Sequence, residues 1–287
     1  MNKVWINGKL VDADKAMLPV SDRGFLYGDG VFETMRSYAG VVFKIDEHIS
    51  RLSGSLKAAR IKSHCTRQYI RKEIYRTLDA NRLKSAYIRL TITRGEGRFG
   101  LEYKDTFTPN IVIVAKEFGE YPDRMYAGGI SAGVVGIRQN ETTPLAGMKS
   151  LNFMNYILAR FEARDKGFDE AILVNSKGHV AEAATSNIFM VKGNAIITPS
   201  LDSGILPGIT RGVIIQIARR LKIFAKEMAV TYRELINSDE IFLTNSLAEV
   251  LPVIKVDNKK IGAGQPGDIT KLLRISYQKE VIREVLR

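Results

Sequence analysis

The chain has 287 residues, 45% hydrophobic and 26% charged, which excludes a disordered, collagenous or coiled-coil protein and leaves room for one large or two ordinary domains. Forty-three Lys+Arg against 31 Asp+Glu give a net charge of +12, which admits nucleic acid or an anionic small ligand as partner beside a plain basic surface. The single cysteine, Cys65, excludes an intrachain disulfide and a multi-cysteine zinc site, and His48, His64 and His179 are too scattered to propose a metal centre.

The N-terminus carries no signal-peptide pattern, and no window approaches about 18 uninterrupted apolar residues, so a cytoplasmic protein without membrane contact is expected. Val4-Trp5-Ile6, Asn7-Gly8 and Lys9-Leu10-Val11 read as a hairpin with a two-residue turn. A glycine-punctuated stretch at 23–30 leads into the alternating strand Val31 to Arg36, and Val41-Val42-Phe43 is another strand. Asp46 reads as an N-cap, followed by an amphipathic helix over 47–60. A second helix is expected over 67–79, then strands over 86–93 and 110–116 flanking a basic loop at 94–100. The polar, glycine-bearing segment after 117 reads as a connection between domains.

The second half opens with an apolar run at 130–137, then a helix from about 151 to 166 stopped by Gly167. Strands at 171–174 and 186–191, a helix from Pro207 to Leu221, and a capping box Thr231-x-x-Glu234 follow. Ile241-Phe242-Leu243 is a buried strand, 253–261 a hairpin, and the last helix begins near 267. The chain is therefore expected to be α+β. Residues 1–118 would form a smaller domain, 119–131 a connection, and 132–287 a larger domain.

Several positions invite chemistry. Lys149 is the only charged side chain from Pro144 to Ala159. Desolvation there would favour a neutral amine, as a Schiff-base nucleophile requires, although that window alone is explained more simply by a lysine that snorkels to the surface. Glu182 lies among small uncharged residues and, if buried, needs a cationic partner: a protonated pyridine nitrogen, or equally an arginine in a structural ion pair. Gly204 to Arg211, with Pro207, Gly208 and Thr210, opens a helix and so offers an anion its free N–H groups, but many helices begin this way. Asn245-Ser246 adds donors, and Arg51 is either a phosphate clamp or an ordinary exposed helix arginine. Taken jointly, one isolated lysine, one isolated carboxylate, two donor-rich turns and an arginine are what pyridoxal phosphate requires.

These residues stand in motifs that resemble the fold-type IV pyridoxal-phosphate family, which includes branched-chain and D-amino-acid aminotransferases and aminodeoxychorismate lyases. The resemblance spans nearly the whole chain. It is carried by Tyr27 to Glu33, His48-x-x-Arg51-Leu52, Tyr87-Ile88-Arg89, Lys149 to Asn152, Glu182 with Ser186 to Phe189, Leu206 to Arg211, and Ala248 to Val253. It implies the two-domain, D-amino-acid aminotransferase-like fold and a homodimer with its active site near the subunit interface. Lys149 would be the Schiff-base lysine and move the substrate proton. Glu182 would keep the pyridine nitrogen protonated. Arg51, Ile209, Thr210, Asn245 and Ser246 would hold the phosphate, and Leu206 would pack on the ring. Tyr27, Phe32, Thr34, Arg89, Arg98 and Leu247 would meet the substrate.

Some positions depart from the branched-chain pattern. Thr34 replaces a usual glycine, Leu90 a proline, Asn245-Ser246-Leu247 a Gly-Thr-Ala turn, and Met154 a tyrosine that often contacts the cofactor. Phe-Glu-Thr and Leu145 to Lys149 look more like the lyases, and Arg98 resembles an arginine of the D-specific enzymes. The expected activity is a transaminase using an aliphatic, branched-chain L-amino acid and 2-oxoglutarate. A D-amino-acid transaminase and an aminodeoxychorismate lyase making 4-aminobenzoate are the alternatives. A basic nucleic-acid binder is the remote one, because helix-turn-helix, zinc and RNP signatures are absent.

Overall fold

The computed structural model describes residues 2–63, 65–97, 100–101 and 108–286. The chain divides into two compact units. Unit 1 comprises Met1–Gly119, Met148–Asn152 and Glu284–Arg287, and unit 2 comprises Glu120–Gly147 and Phe153–Arg283.

In unit 1, β1 (Lys3–Ile6) and β2 (Lys9–Asp12) form the expected hairpin. Its turn residues, Asn7 and Gly8, have φ of 47° and 93°, the left-handed pair that matches the twist of the strands. Then come α1 (Arg23–Tyr27), β3 (Gly30–Tyr38), β4 (Val41–Val42), α2 (Ile45–Ala58), α3 (Arg67–Ala80), β5 (Ala86–Thr93) and β6 (Ile111–Glu117). The strands make one antiparallel sheet in the order β2-β1-β6-β5-β3-β4. Val31 and Met35 of β3 and Ile88, Leu90 and Ile92 of β5 pack with Ile49 and Leu52 of α2 and Ile74 and Leu78 of α3. Asp46 does not cap α2. The helix already includes Ile45, with Lys44 in the left-handed conformation as N-cap, and the Asp46 carboxylate instead takes Arg71 of α3 at 2.8 Å.

Unit 2 contains α4 (Asp123–Gly128), β7 (Ile130–Gln139), α5 (Met154–Asp165), β8 (Glu170–Asn175), β9 (His179–Ala183), β10 (Asn187–Lys192) and β11 (Ala195–Pro199). It continues with α6 (Ile209–Arg220), β12 (Phe224–Met228), β13 (Val230–Thr231), α7 (Tyr232–Ile236), β14 (Glu240–Asn245), β15 (Glu249–Val256), β16 (Lys259–Lys260) and α8 (Asp268–Val285). Thus the stretch 119–131 holds α4 and the start of β7. The capping box of Thr231 and Glu234 is formed at the start of α7. The sheet runs β12-β11-β10-β14-β15-β7-β8-β9-β13, with β16 on β15.

Strands β9 and β10 explain the shape of this sheet. The chain from Ala183 to Asn187 reaches at most about 14 Å. In a flat sheet the five strand spacings between β10 and β9 would need about 24 Å. The sheet therefore rolls up until its distant strands meet, in a barrel-like form. Apolar side chains from β7, β8, β10, β14 and β15 fill it, among them Ile172, Ile188, Leu243 and Val253.

Candidate active site

Unit 1 presents its chemistry on the sheet face opposite α2. Side chains alternate along a strand, and directly paired residues share a face. Phe32 pairs with Thr91 and Thr34 with Arg89, so Phe32, Thr34 and Arg89 lie on one face, while Val31 and Met35 point into the core. Residues 149–151 join this sheet along β3. Phe32 N–H donates to the Lys149 carbonyl at 2.9 Å, and Leu151 N–H to that of Gly30 at 3.0 Å. These bonds hold the segment extended, so the helix expected from about 151 begins only at Met154. The same parity turns Met148 toward the core and Lys149 away from it. Lys149 Nζ lies 4.7 Å from the Phe32 ring centroid and the Arg89 guanidinium 3.8 Å from it. Four of the sequence candidates, Lys149, Phe32, Thr34 and Arg89, are thereby brought together.

Arg51 is on the other side of β3. Its Nε and Nη2 donate to the two oxygens of Glu33 at 2.8 and 2.7 Å, and His48 Nδ1 lies 2.8 Å from the second. An ionised carboxylate only accepts, so His48 Nδ1 carries the hydrogen here. Burial alone would push the Glu33 carboxyl up, but the bonds and charges of Arg51 and His48 overcome it and hold it at about 2. The motif reading contained Glu33 and His48 without giving them a task. Tyr27 lies on α1, where its hydroxyl accepts the Gly100 N–H at 3.0 Å and the Arg23 guanidinium stands 5.0 Å from its ring. Arg98 lies outside the described residues.

Unit 2 builds a cradle around Glu182, which β9 carries into a buried position. Tyr156 of α5 donates its hydroxyl to Oε1 at 3.2 Å. Oε2 accepts Asn187 Nδ2 at 3.2 Å and the Leu206 N–H at 3.0 Å. Asn187 Nδ2 also reaches the Leu206 carbonyl at 2.8 Å, tying Glu182 to the turn before α6. That helix starts from Gly208 with no side chain capping it and no acidic residue in its first turn. The amides of Ile209 and Thr210 are thus suited to an anion. A Cβ on Gly208 would fall 1.9 Å from Asn187 Oδ1, so the turn is closed around a glycine.

Asn245 is used locally. Its Oδ1 accepts the N–H groups of Leu247 and Ala248 at 2.8 and 2.7 Å, and its Nδ2 donates to Ser186 Oγ at 2.8 Å. It shapes the turn that presents Ser246 and Leu247. Thr244, opposite Asn187 in the strand register, has a buried hydroxyl with no partner among the described residues. Sequence reasoning missed Tyr156 and Gln139, whose link to Glu182 spans three elements and leaves no spacing signal. Asn187 was inside a motif, five residues after Glu182, but had no role.

The family model described as amino-transferase class IV matches residues 30–256. The chain belongs to the class IV aminotransferases. The enzyme is 40% identical over 277 residues to a putative branched-chain-amino-acid aminotransferase of Methanocaldococcus jannaschii, covering 96% of this chain and 95% of that one. It is 32% identical over 286 residues to the D-alanine aminotransferase of Bacillus licheniformis, with 99% of each chain covered. With the aminodeoxychorismate lyase of Bacillus subtilis it shares 33% identity over 280 residues, 97% of this chain and 94% of that one. The Escherichia coli branched-chain amino acid aminotransferase structure superposes with a TM-score of 0.94 at 31% identity, covering 97% of this chain and 94% of that one. A branched-chain amino acid aminotransferase of T.th., complexed with N-(5'-phosphopyridoxyl)-L-glutamate, gives 0.92 at 29% identity, with 99% and 95% covered.

Class IV aminotransferases depend on pyridoxal phosphate. The donor set of unit 2 fits that group: an uncapped helix start for its phosphate, and for its ring nitrogen a buried carboxylate that accepts from Tyr156, Asn187 and the Leu206 N–H. Among the described residues, no cluster of His, Cys, Asp or Glu could hold a metal ion. Nor is any helix among them long and apolar enough to cross a membrane.

Proposed function

We propose that the enzyme transfers an amino group between an aliphatic, branched-chain-type L-amino acid and 2-oxoglutarate. The observation that carries this reading is the Phe32 ring with the Arg89 guanidinium 3.8 Å from its centroid. An apolar ring suits a leucine-like side chain, and the neighbouring cation suits the distal carboxylate of 2-oxoglutarate or glutamate. One pocket can then serve both halves of the reaction. The 40% identity to a putative branched-chain enzyme supports the same choice.

Bound pyridoxal phosphate supplies an electrophilic carbon and a protonated ring that accepts the electrons released at the substrate Cα. The chain's residues do the rest. Lys149 Nζ would hold the aldehyde carbon and, once the substrate amine displaces it from that carbon, would be free to take the proton from Cα. Glu182 keeps the ring nitrogen protonated. The Ile209 and Thr210 amides, the Thr210 hydroxyl, and Ser246 on the turn that Asn245 shapes would bind the phosphate, with Arg51, oriented by Glu33, as the further cation that the family resemblance implies. Leu206 would pack on the ring, and Tyr27 and Leu247 would complete the substrate contacts. The homodimer implied by the family resemblance is supported by α5, where Met154, Leu158 and Phe161 are exposed along one helical stripe and are suited to a second copy. The cytoplasmic location expected from the sequence belongs to the same proposal.

Thr34, beside Arg89 in the register, favours the lyase as second reading, since its hydroxyl could donate a proton to a departing pyruvate fragment. Visible spectra of the pyridoxal-phosphate-loaded enzyme separate the readings. Selective conversion of the bound cofactor to the pyridoxamine form by L-leucine supports the branched-chain assignment. Selective conversion by D-alanine makes it a D-amino-acid transaminase. Release of pyruvate from aminodeoxychorismate, with neither amino acid reacting, makes it the lyase.

A further inference from the structure

The cradle around Glu182 contains one donor that family motifs do not explain. Tyr156 sits on α5, and its ring packs on that of Phe153 with centroids 4.9 Å apart. Its hydroxyl oxygen accepts Gln139 Nε2 at 3.1 Å, and the same nitrogen donates to the Gly204 carbonyl at 2.7 Å. An amide nitrogen only donates, so the single phenolic hydrogen is left to Glu182 Oε1, 3.2 Å away. The direction of the chain Gln139, Tyr156, Glu182 is thus fixed by chemistry.

We propose that Tyr156 is a positioning residue that acts through Glu182, fixing its carboxylate and keeping the proton on the cofactor's ring nitrogen and not on the glutamate. The inference rests on the assignment of Glu182 to that nitrogen. Burial and the charge of Glu182 push the Tyr156 phenol up, so it remains a donor throughout the working pH range. A donor lowers the basicity of the carboxylate it touches. Less basic, Glu182 competes less for the proton it shares with the pyridine nitrogen. Gln139 strengthens the effect, since a hydroxyl that accepts a hydrogen bond donates a better one.

The test is a nitrogen-15 NMR spectrum of the enzyme loaded with pyridoxal phosphate labelled at the ring nitrogen, run for the wild type, Tyr156→Phe and Glu182→Gln. The wild-type resonance is expected at the pyridinium position. Tyr156→Phe keeps the ring packing and is expected to move the resonance toward neutral pyridine. It should also raise the pyridoxal phosphate dissociation constant about three- to tenfold, as for one lost hydrogen bond. Glu182→Gln should move the resonance further. A Tyr156→Phe spectrum and affinity equal to wild type, with Glu182→Gln shifted, would overturn the role of Tyr156 and leave that of Glu182. No shift in Glu182→Gln would overturn both. Cofactor-free melting curves check folding. Gln139→Leu, which keeps the phenol, should shift the resonance the same way by less, and carries the test if Tyr156→Phe does not fold.

Discussion

Arg51 grips Glu33 with two parallel hydrogen bonds of 2.8 and 2.7 Å, from a helix to the core face of a strand. Glu33 is 1% exposed and is the one acidic side chain among the alternating apolar residues of β3. A carboxylate in that place persists because Arg51 and His48 satisfy it, and they in turn are oriented by it.

Glu33→Ala is therefore expected to cost about 3 kcal/mol in urea unfolding, because it leaves a largely buried guanidinium without its counter-charge. The pH dependence has a definite sign. The Glu33 carboxyl is lowered from 4.5 to about 2 in the folded chain, so its contribution to stability is present above 4.5 and is lost as pH falls toward 2. Glu33→Gln should flatten the acid limb of stability in that window. An unchanged acid limb would show that Glu33 is not the group responsible.

Lys149→Ala is expected to lower turnover by at least about a thousandfold, as for loss of both nucleophile and base. Its effect on folding should be slight, since the backbone bonds of 149 and 151 remain. Normal multiple turnover in this variant would exclude Lys149 as the reacting amine.

Arg89→Leu should raise KM for 2-oxoglutarate about tenfold or more, as for loss of a charged hydrogen bond, and change that for leucine less. Separate half-reactions with the two substrates measure it. Equal losses on both sides would mean that Arg89 supports Phe32 and does not select the dicarboxylate.

Gly208→Ala should destabilise the enzyme by about 1–3 kcal/mol through overpacking against Asn187. It should also weaken pyridoxal phosphate binding at the start of α6. In an Asn187→Ala background the added methyl has room, and the penalty should shrink. A double-mutant cycle measures the coupling, and additive effects would show that the two residues do not share the space.

Much of this architecture is legible in the sequence because it is local. Asn7-Gly8 announces its turn, Thr231 and Glu234 their capping box, and the apolar spacing of 67–79 its helix. Asp46 misled because an N-cap is chosen by backbone geometry as well as by side chain, and Lys44 already holds that geometry upstream of it. The start of α5 misled because bonds from 149 and 151 to residues some 120 positions away outweigh the helical pattern. The same limit hid the Glu33–Arg51 pair and the Gln139–Tyr156–Glu182 chain, whose members meet only after strands and helices have packed. Phe32, Thr34 and Arg89 were separate motif positions in the sequence, and their common face follows only from the β3–β5 register.

The backbone pairing of 149–151 with β3 turns Lys149 into a question of odd and even. The loop upstream can lengthen or shorten without touching the lysine, because slack there is absorbed before residue 148. Inside the paired stretch there is no such tolerance. One residue added or removed between 148 and 151 would exchange the two faces, sending the amine into the apolar core and bringing methionine or serine out in its place. Evolution can remodel this enzyme's approach to Lys149 freely, but can edit the three residues around it only by substitution, or by insertions in pairs.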